Sequence, residues 1–182
     1  MLVPAVGVRT ATESDLPVVA RIHMASWQDA YKGILPDALL AGRTTNGALA
    51  GWRKTFTDYP GNITVACAAD GAVIGFCCAG PVVDAGKNAP FQFQVYGLHA
   101  DPPHRRQGAG AALLRAGLDR SLHEFGMTSA IVWTLEDLTM SRKFYEREGG
   151  TIAKTGTWNA GGFAIAEVAY GWPDLAFLPR RE

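Results

Sequence analysis

Three consecutive pieces constrain this chain most. Residues 91–100 read as a strand, a basic glycine loop follows at Arg105-Arg106-Gln107-Gly108-Ala109-Gly110-Ala111, and residues 111–125 recur with helical spacing. A further strand-like run occupies 129–135. A strand that leaves through a helix and returns to the same sheet forms a parallel pair, because a hairpin cannot hold so long a connection. Upstream, Ile63–Cys67 and residues 73–79 flank Asp70-Gly71, a dipeptide suited to a tight hairpin turn. Downstream, residues 151–157 and 163–170 flank a turn expected at Asn159-Ala160-Gly161-Gly162. The predicted order is strand, helices, three strands, helix, strand, helix, two strands. That is a mixed α/β domain with a mostly antiparallel sheet, not a fully alternating doubly wound one.

The helices announce themselves by punctuation as well as period. Thr12-Glu13-Ser14-Asp15 offers a capping signal and Pro17 fits only near a helix start. Leu16, Val19, Ala20, Ile22, His23, Ser26 and Trp27 then share one face, and Lys32-Gly33 and Pro36 end the run. Leu39, Leu40, Leu49 and Trp52 suggest one or two short helices up to about residue 56. Leu113, Leu114, Leu118, Leu122 and Phe125 line the helix after the glycine loop, and Gly126 ends it. Another helix is expected over 139–148, stopped by Gly149-Gly150. Residues 84–90 are polar with Gly and Pro, and are expected to form a mobile loop.

At 182 residues, 48% of them hydrophobic, the chain suffices for one domain over 1–182, with a core over 5–171 and a tail over 172–182. Seventeen basic side chains cancel seventeen acidic ones, which argues against nucleic acid and anionic membrane as partners. No apolar run reaches transmembrane length, and Met1-Leu2-Val3-Pro4 lacks the regions of a signal peptide. Cys67, Cys77 and Cys78 lie in apolar strands without zinc-ligand spacing, so buried free thiols, no metal and a cytoplasmic location are expected.

The glycine loop carries the chemistry. Gly108 and Gly110 let the backbone turn and approach another molecule, and the amides opening the next helix favour an anion. Tight packing of strand on helix would explain the glycines but not Arg105 and Arg106. A dinucleotide fingerprint needs glycine or alanine where Leu113 stands, and no Gly-Lys-Ser/Thr is present for a Walker loop. Coenzyme A is the remaining reading, its pyrophosphate on the loop and its pantetheine arm along the preceding strand.

At this point the sequence resembles the GNAT family of acyl-CoA-dependent N-acetyltransferases, in a bacterial subgroup whose acceptors are mostly unassigned. The loop signature Gln/Arg-x-x-Gly-x-Gly/Ala is matched by Arg105-Arg106-Gln107-Gly108-Ala109-Gly110. The strand lead-in to Asp-Pro is matched by Leu98-His99-Ala100-Asp101-Pro102, and Phe-Tyr-x-x-x-Gly by Phe144-Tyr145-Glu146-Arg147-Glu148-Gly149. The resemblance implies a single-domain GNAT-like fold with the parallel pair splayed at the acetyl-CoA site and helices on both faces. It further implies that the backbone of Leu98, His99 and Ala100 pairs with pantetheine and that the residues from Arg105 to Ala111 bind the pyrophosphate. An N–H near His99 would polarise the thioester carbonyl and Tyr145 would protonate the departing thiolate. Leu138 stands where many members carry an Asn that helps hold pantetheine, so Ser141 or Thr139 would substitute.

The acceptor is less legible. Trp27 and Tyr31 lie four apart on one helix face, as core aromatics or as a wall of the acceptor pocket. Their setting, Trp-x-x-x-Tyr-x-Gly-Ile-Leu-Pro, is similar to a pattern of that subgroup. Gln94 occupies a position where related sequences carry a Glu base, and with Tyr96 it is expected to face the acceptor. An amide cannot take the proton, which leaves a water chain, His23, His99, Glu136 or Glu167. The expected activity is transfer of acetyl from acetyl-CoA to a primary amine of a small molecule or peptide N-terminus, by direct attack in a ternary complex. The alternatives are a non-catalytic acyl-CoA sensor and, less well matched, a nucleotide-binding protein. The last strands and the apolar tail (Trp172, Leu175, Phe177, Leu178) would either form a homodimer or pack on their own domain.

Overall fold

The structure, a computed structural model, describes residues 6–177. Met1 to Pro4 and Leu178, on which two expectations bear, lie outside them. The elements are β1 (Gly7–Thr10), α1 (Leu16–Ala30), α2 (Asp37–Ala41), α3 (Thr45–Asp58), β2 (Ile63–Cys67), β3 (Val73–Pro81) and α4 (Ala85–Asn88). They continue with β4 (Phe93–Ala100), α5 (Ala109–His123), β5 (Ala130–Leu135), α6 (Thr139–Arg147), β6 (Thr151–Ala160) and β7 (Phe163–Trp172). The strands order as β1-β2-β3-β4-β5-β7-β6 in one seven-stranded sheet. The pair β4–β5 is parallel, as the crossover through α5 requires. The pairs β1–β2, β2–β3, β5–β7 and β6–β7 are antiparallel. The β4–β5 register runs from Phe93↔Ala130 to Val95↔Val132, whereas both strands continue further. The expected mixed α/β class with one parallel pair is what the chain adopts.

Contacts gather into two compact units, the first running through Cys78 and resuming over Gly97–Ala116, the second covering Ala79–Tyr96 and resuming at Gly117. In the first unit, Asp15 accepts from the Thr12 amide at 2.7 Å and from the Arg9 guanidinium at 2.7 and 2.8 Å, and Pro17 occupies the first turn of α1. This fixes where the helix begins, so that Leu16, Val19 and Ile22 join Ile63, Val65, Phe76 and Cys78 in the core. Leu49, Trp52 and Phe56 of α3 pack against the same cluster. Gly75 is required by close approach: a Cβ there would lie 3.0 Å from the His99 carbonyl oxygen and 3.2 Å from Leu113 Cδ1.

In the second unit the last hairpin is longer than expected. Asn159 and Ala160 pair with Ala164 and Phe163, so the turn contracts to Gly161-Gly162, both at positive φ (56° and 84°). Two such residues suit the right-handed twist of the flanking strands. Trp172 closes β7 and, like Leu175, is buried in its own chain. Its indole Nε1 donates to the Glu148 carbonyl at 3.0 Å, and a Cβ on Gly150 would come within 2.9 Å of its ring. Two sequence expectations are corrected. Residues 84–90, expected as a mobile loop, carry the short helix α4, held by side chains distant in sequence. The helix after the glycine loop starts at Ala109, two residues earlier than its apolar period suggests.

Candidate functional site

The glycine loop lies in the first unit between β4 and α5. Its entry is anchored by Asp101, which is buried, accepts from Arg21 at 2.9 and 3.2 Å, and donates its amide to the Ile74 carbonyl at 2.9 Å. The Asp-Pro lead-in thus ends β4 and starts a single 3-10 turn over Pro102–His104. Beyond it, Arg106 adopts φ 61° and Gly108 φ 91°, so left-handed residues occur two apart within the loop. Backbone of this kind turns successive N–H groups toward one concavity, a geometry that binds anions. The Ala112 amide makes the 2.9 Å bond to the Gly108 carbonyl, and the first-turn amides ahead of it find no acceptor within an α-helix. They point out of the positive end of α5.

The side chains around the loop add donors. Arg105 pairs with Asp29 through Nη1, yet its buried Nη2 has no hydrogen-bond partner. His104 Nδ1 is likewise buried without a hydrogen bond and lies 3.6 Å from the Asp101 carboxylate. A Cβ on Gly108 would meet nothing within 4 Å, so the loop borders open space. Gly110 and Ala111 are half-buried, whereas Arg106, Gln107 and Gly108 are exposed. The unpartnered Arg105 Nη2, a left-handed backbone pair and a helix N-terminus fit a pyrophosphate.

Leu98, His99 and Ala100 are half-buried on the last residues of β4. The His99 ring stacks on Phe76 at 5.2 Å, stands 5.0 Å from His23, and has Nδ1 3.2 Å from Ser26 Oγ. His23 Nδ1 accepts from the Trp52 indole at 3.1 Å. Burial pushes the His99 pKa down to about 3, with His23 and Arg105 adding to the effect. Burial, then the Arg43 charge, pushes His23 down to about 4. Both rings are therefore neutral at pH 7, and conjugate acids that strong make them poor acceptors of an amine proton.

Trp27 and Tyr31 meet edge to face at 4.8 Å, as their spacing predicts. Trp27 is buried beneath the Arg43 guanidinium, 3.8 Å from the ring centroid. Arg43 lines a cavity of about 400 Å³ with His23, Thr44, Gly47, Gly51 and Trp52. Arg43 carried no sequence signal, since only the fold sets it over Trp27.

The other expected residues fall in the second unit. Gln94 Oε1 accepts from Asn88 Nδ2 at 2.9 Å, and Asn88 Oδ1 accepts from the Trp133 indole at 2.9 Å. Tyr96 donates its hydroxyl to the Pro81 carbonyl at 2.7 Å and accepts from the Val83 amide at 3.0 Å, tying down the end of β3. Tyr145 is buried on α6, its ring 5.8 Å from Tyr170 and 6.3 Å from Trp172. Ser141 is half-buried on the same helix, and Leu138 is buried just before it. Among the base candidates, Glu136 is exposed and Glu167 is buried against Lys87 at 2.5 Å. Asn88, Lys87 and Trp133 were not singled out by sequence, because their roles rest on bonds across 6 to 80 residues. Among the described residues no group of His, Cys, Asp and Glu could hold a metal, and no helix is long and apolar enough to cross a membrane.

Residues 24–150 match the Acetyltransferase (GNAT) family. The chain is 29% identical over 173 residues to YuaI of Bacillus subtilis, an uncharacterised N-acetyltransferase, covering 95% of this chain and 96% of that one. Its fold is similar to that of the PaiA N-acetyltransferase from Thermoplasma acidophilum in complex with coenzyme A, with TM-score 0.65, 17% identity, and coverage of 90% and 98%. It is also similar to YncA from Salmonella typhimurium with its cofactor acetyl-CoA, with TM-score 0.69, 16% identity, and 98% of each chain covered.

Proposed function

Because the chain belongs to the Acetyltransferase (GNAT) family, we propose that it takes an acetyl group from acetyl-CoA and delivers it to a primary amine of a small molecule or peptide N-terminus. The observation that carries the donor is the loop at 105–111, where Arg106 and Gly108 are left-handed and the buried Arg105 Nη2 lacks a partner. Donors arranged this way suit a pyrophosphate, and the coenzyme supplies a thioester already activated toward amines. The amides of Arg106 to Ala111 hold the pyrophosphate, the backbone of Leu98, His99 and Ala100 runs beside pantetheine, and Ser141 adds a hydroxyl contact. An N–H near His99 stabilises the charge that develops on the carbonyl oxygen.

Transfer is direct within a ternary complex. The amine nitrogen bonds to the acetyl carbon, the carbon–sulfur bond breaks with its electron pair to sulfur, and the amine loses a proton to a chain of water molecules leading to solvent. Tyr145 donates a proton to the leaving sulfur. Covalent relay through cysteine is disfavoured, because burial pushes the Cys78 thiol up to about 11 and Cys77 higher still. The test is purified protein with acetyl-CoA and a panel of primary amines and peptides, with free thiol read chemically and acetylated product by mass. Amine-dependent release of CoA is expected. CoA that stabilises the protein against heat but is never released with any amine would overturn the reading in favour of a binding module.

A further inference from the structure

Glu167 is buried in β7, its side chain 8% exposed, where the register sets it opposite Leu135 on β5 and Gly156 on β6. A buried carboxylate is costly unless a cation and good geometry compensate it. The compensating cation is Lys87, whose Nζ lies 2.5 Å from Glu167 Oε1 and 4.2 Å over the centroid of the Trp133 ring. A carboxylate on one side and an indole face on the other are the two elements that recognise an ammonium group. The strands leave room for both. A Cβ on Gly156 would come within 3.1 Å of Trp133 Cζ3 and 3.3 Å of Glu167 Oε1. The indole cannot swing away freely, since its Nε1 is committed to Asn88.

Lys87 belongs to a different kind of element. It comes from the four-residue α4, and its side chain remains 41% exposed. A single helical turn has little stability of its own and depends on such contacts to persist. Carboxylate and indole are thus set on paired strands, while the cation between them ends a flexible, 41% exposed lysine side chain that can leave while Asn88 keeps its bond to the indole.

We propose that Glu167 and Trp133 form the recognition site for the ammonium group of the acceptor, and that Lys87 is its built-in occupant, displaced when an acceptor enters. The acceptor class follows from the occupant: a primary alkylammonium on a straight methylene stem, as in a lysine side chain or the end of a polyamine. This assignment rests on the amine-acetyltransferase reading for the identity of its ligand.

The experiment is chemical rescue of Lys87→Ala by n-butylammonium, a probe with the shape of the deleted side chain, against equal concentrations of sodium and tetramethylammonium. At a few times its Kd, n-butylammonium should raise the unfolding midpoint of the variant by about 2–4 °C beyond sodium, and far less in the wild type. The double variant Lys87→Ala, Glu167→Gln should gain nothing. Equal rescue by tetramethylammonium, which has no N–H to donate, or an undiminished gain in the double variant, overturns the proposal. Should Lys87→Ala fail to fold, the wild type provides the readout: the Trp133 indole N–H resonance shifts with n-butylammonium and not with tetramethylammonium, and its indifference to both overturns the site. The two readings fail separately. Rescue without acetylation of any amine leaves the ammonium site standing and removes the transfer, whereas acetylation without rescue does the reverse.

Discussion

Lowering the pH from 7 to 5 should destabilise this protein by about 4 kcal/mol through two histidines. In the folded chain partial burial among aromatic rings holds His99 down at about 3 and His23 at about 4. In the unfolded chain both titrate near 6.5. Below that value the unfolded state binds protons that the folded state refuses, so stability is full above about 6.5 and falls as the pH drops toward about 4. Linkage gives about 2 kcal/mol for each imidazole across that interval. Urea unfolding followed by tryptophan fluorescence at pH 7, 6 and 5 measures it. His23→Gln supplies the internal control, since the glutamine oxygen can still accept from the Trp52 indole but cannot titrate. Its slope with pH should drop from nearly two protons to nearly one. A midpoint that stays flat from pH 7 to 5, or a His23→Gln slope equal to that of the wild type, refutes the reasoning.

Two further outcomes are expected from the proposed machinery. Arg106→Gly should raise thermal stability by about 1 kcal/mol by relieving a non-glycine residue at φ 61°, while CoA affinity measured by calorimetry falls with the lost guanidinium. Gain in stability without loss of affinity would take the Arg106 guanidinium, though not its amide, out of the pyrophosphate site. Tyr145→Phe retains the ring packed on Tyr170 and Trp172 and should slow acetyl transfer about ten- to thousandfold in steady-state assays, the usual range for one general acid. A wild-type rate would end that role.

The order of elements apart from α4, the parallel β4–β5 pair and the glycine loop at 105–111 could all be read from the chain by itself. Each rests on local chemistry: apolar period, proline at strand and helix ends, glycine where the backbone must turn. The Trp27–Tyr31 contact was legible for the same reason, as helical spacing brings residues four apart together. The left-handed φ of Arg106 was not, because arginine carries no mark of the conformation its neighbours impose. Nor were the depressed pKa values of His23 and His99, whose surroundings are assembled from Trp52 and Phe76 as well as from each other. The segment at 84–90 shows the limit most plainly. One turn is too short to display a period, and α4 is held by Gln94, Trp133 and Glu167. Glu167 could be named from sequence as one carboxylate among several candidates. Its cation stands 80 positions earlier, and only the paired strands that bury the carboxylate could show which cation that is.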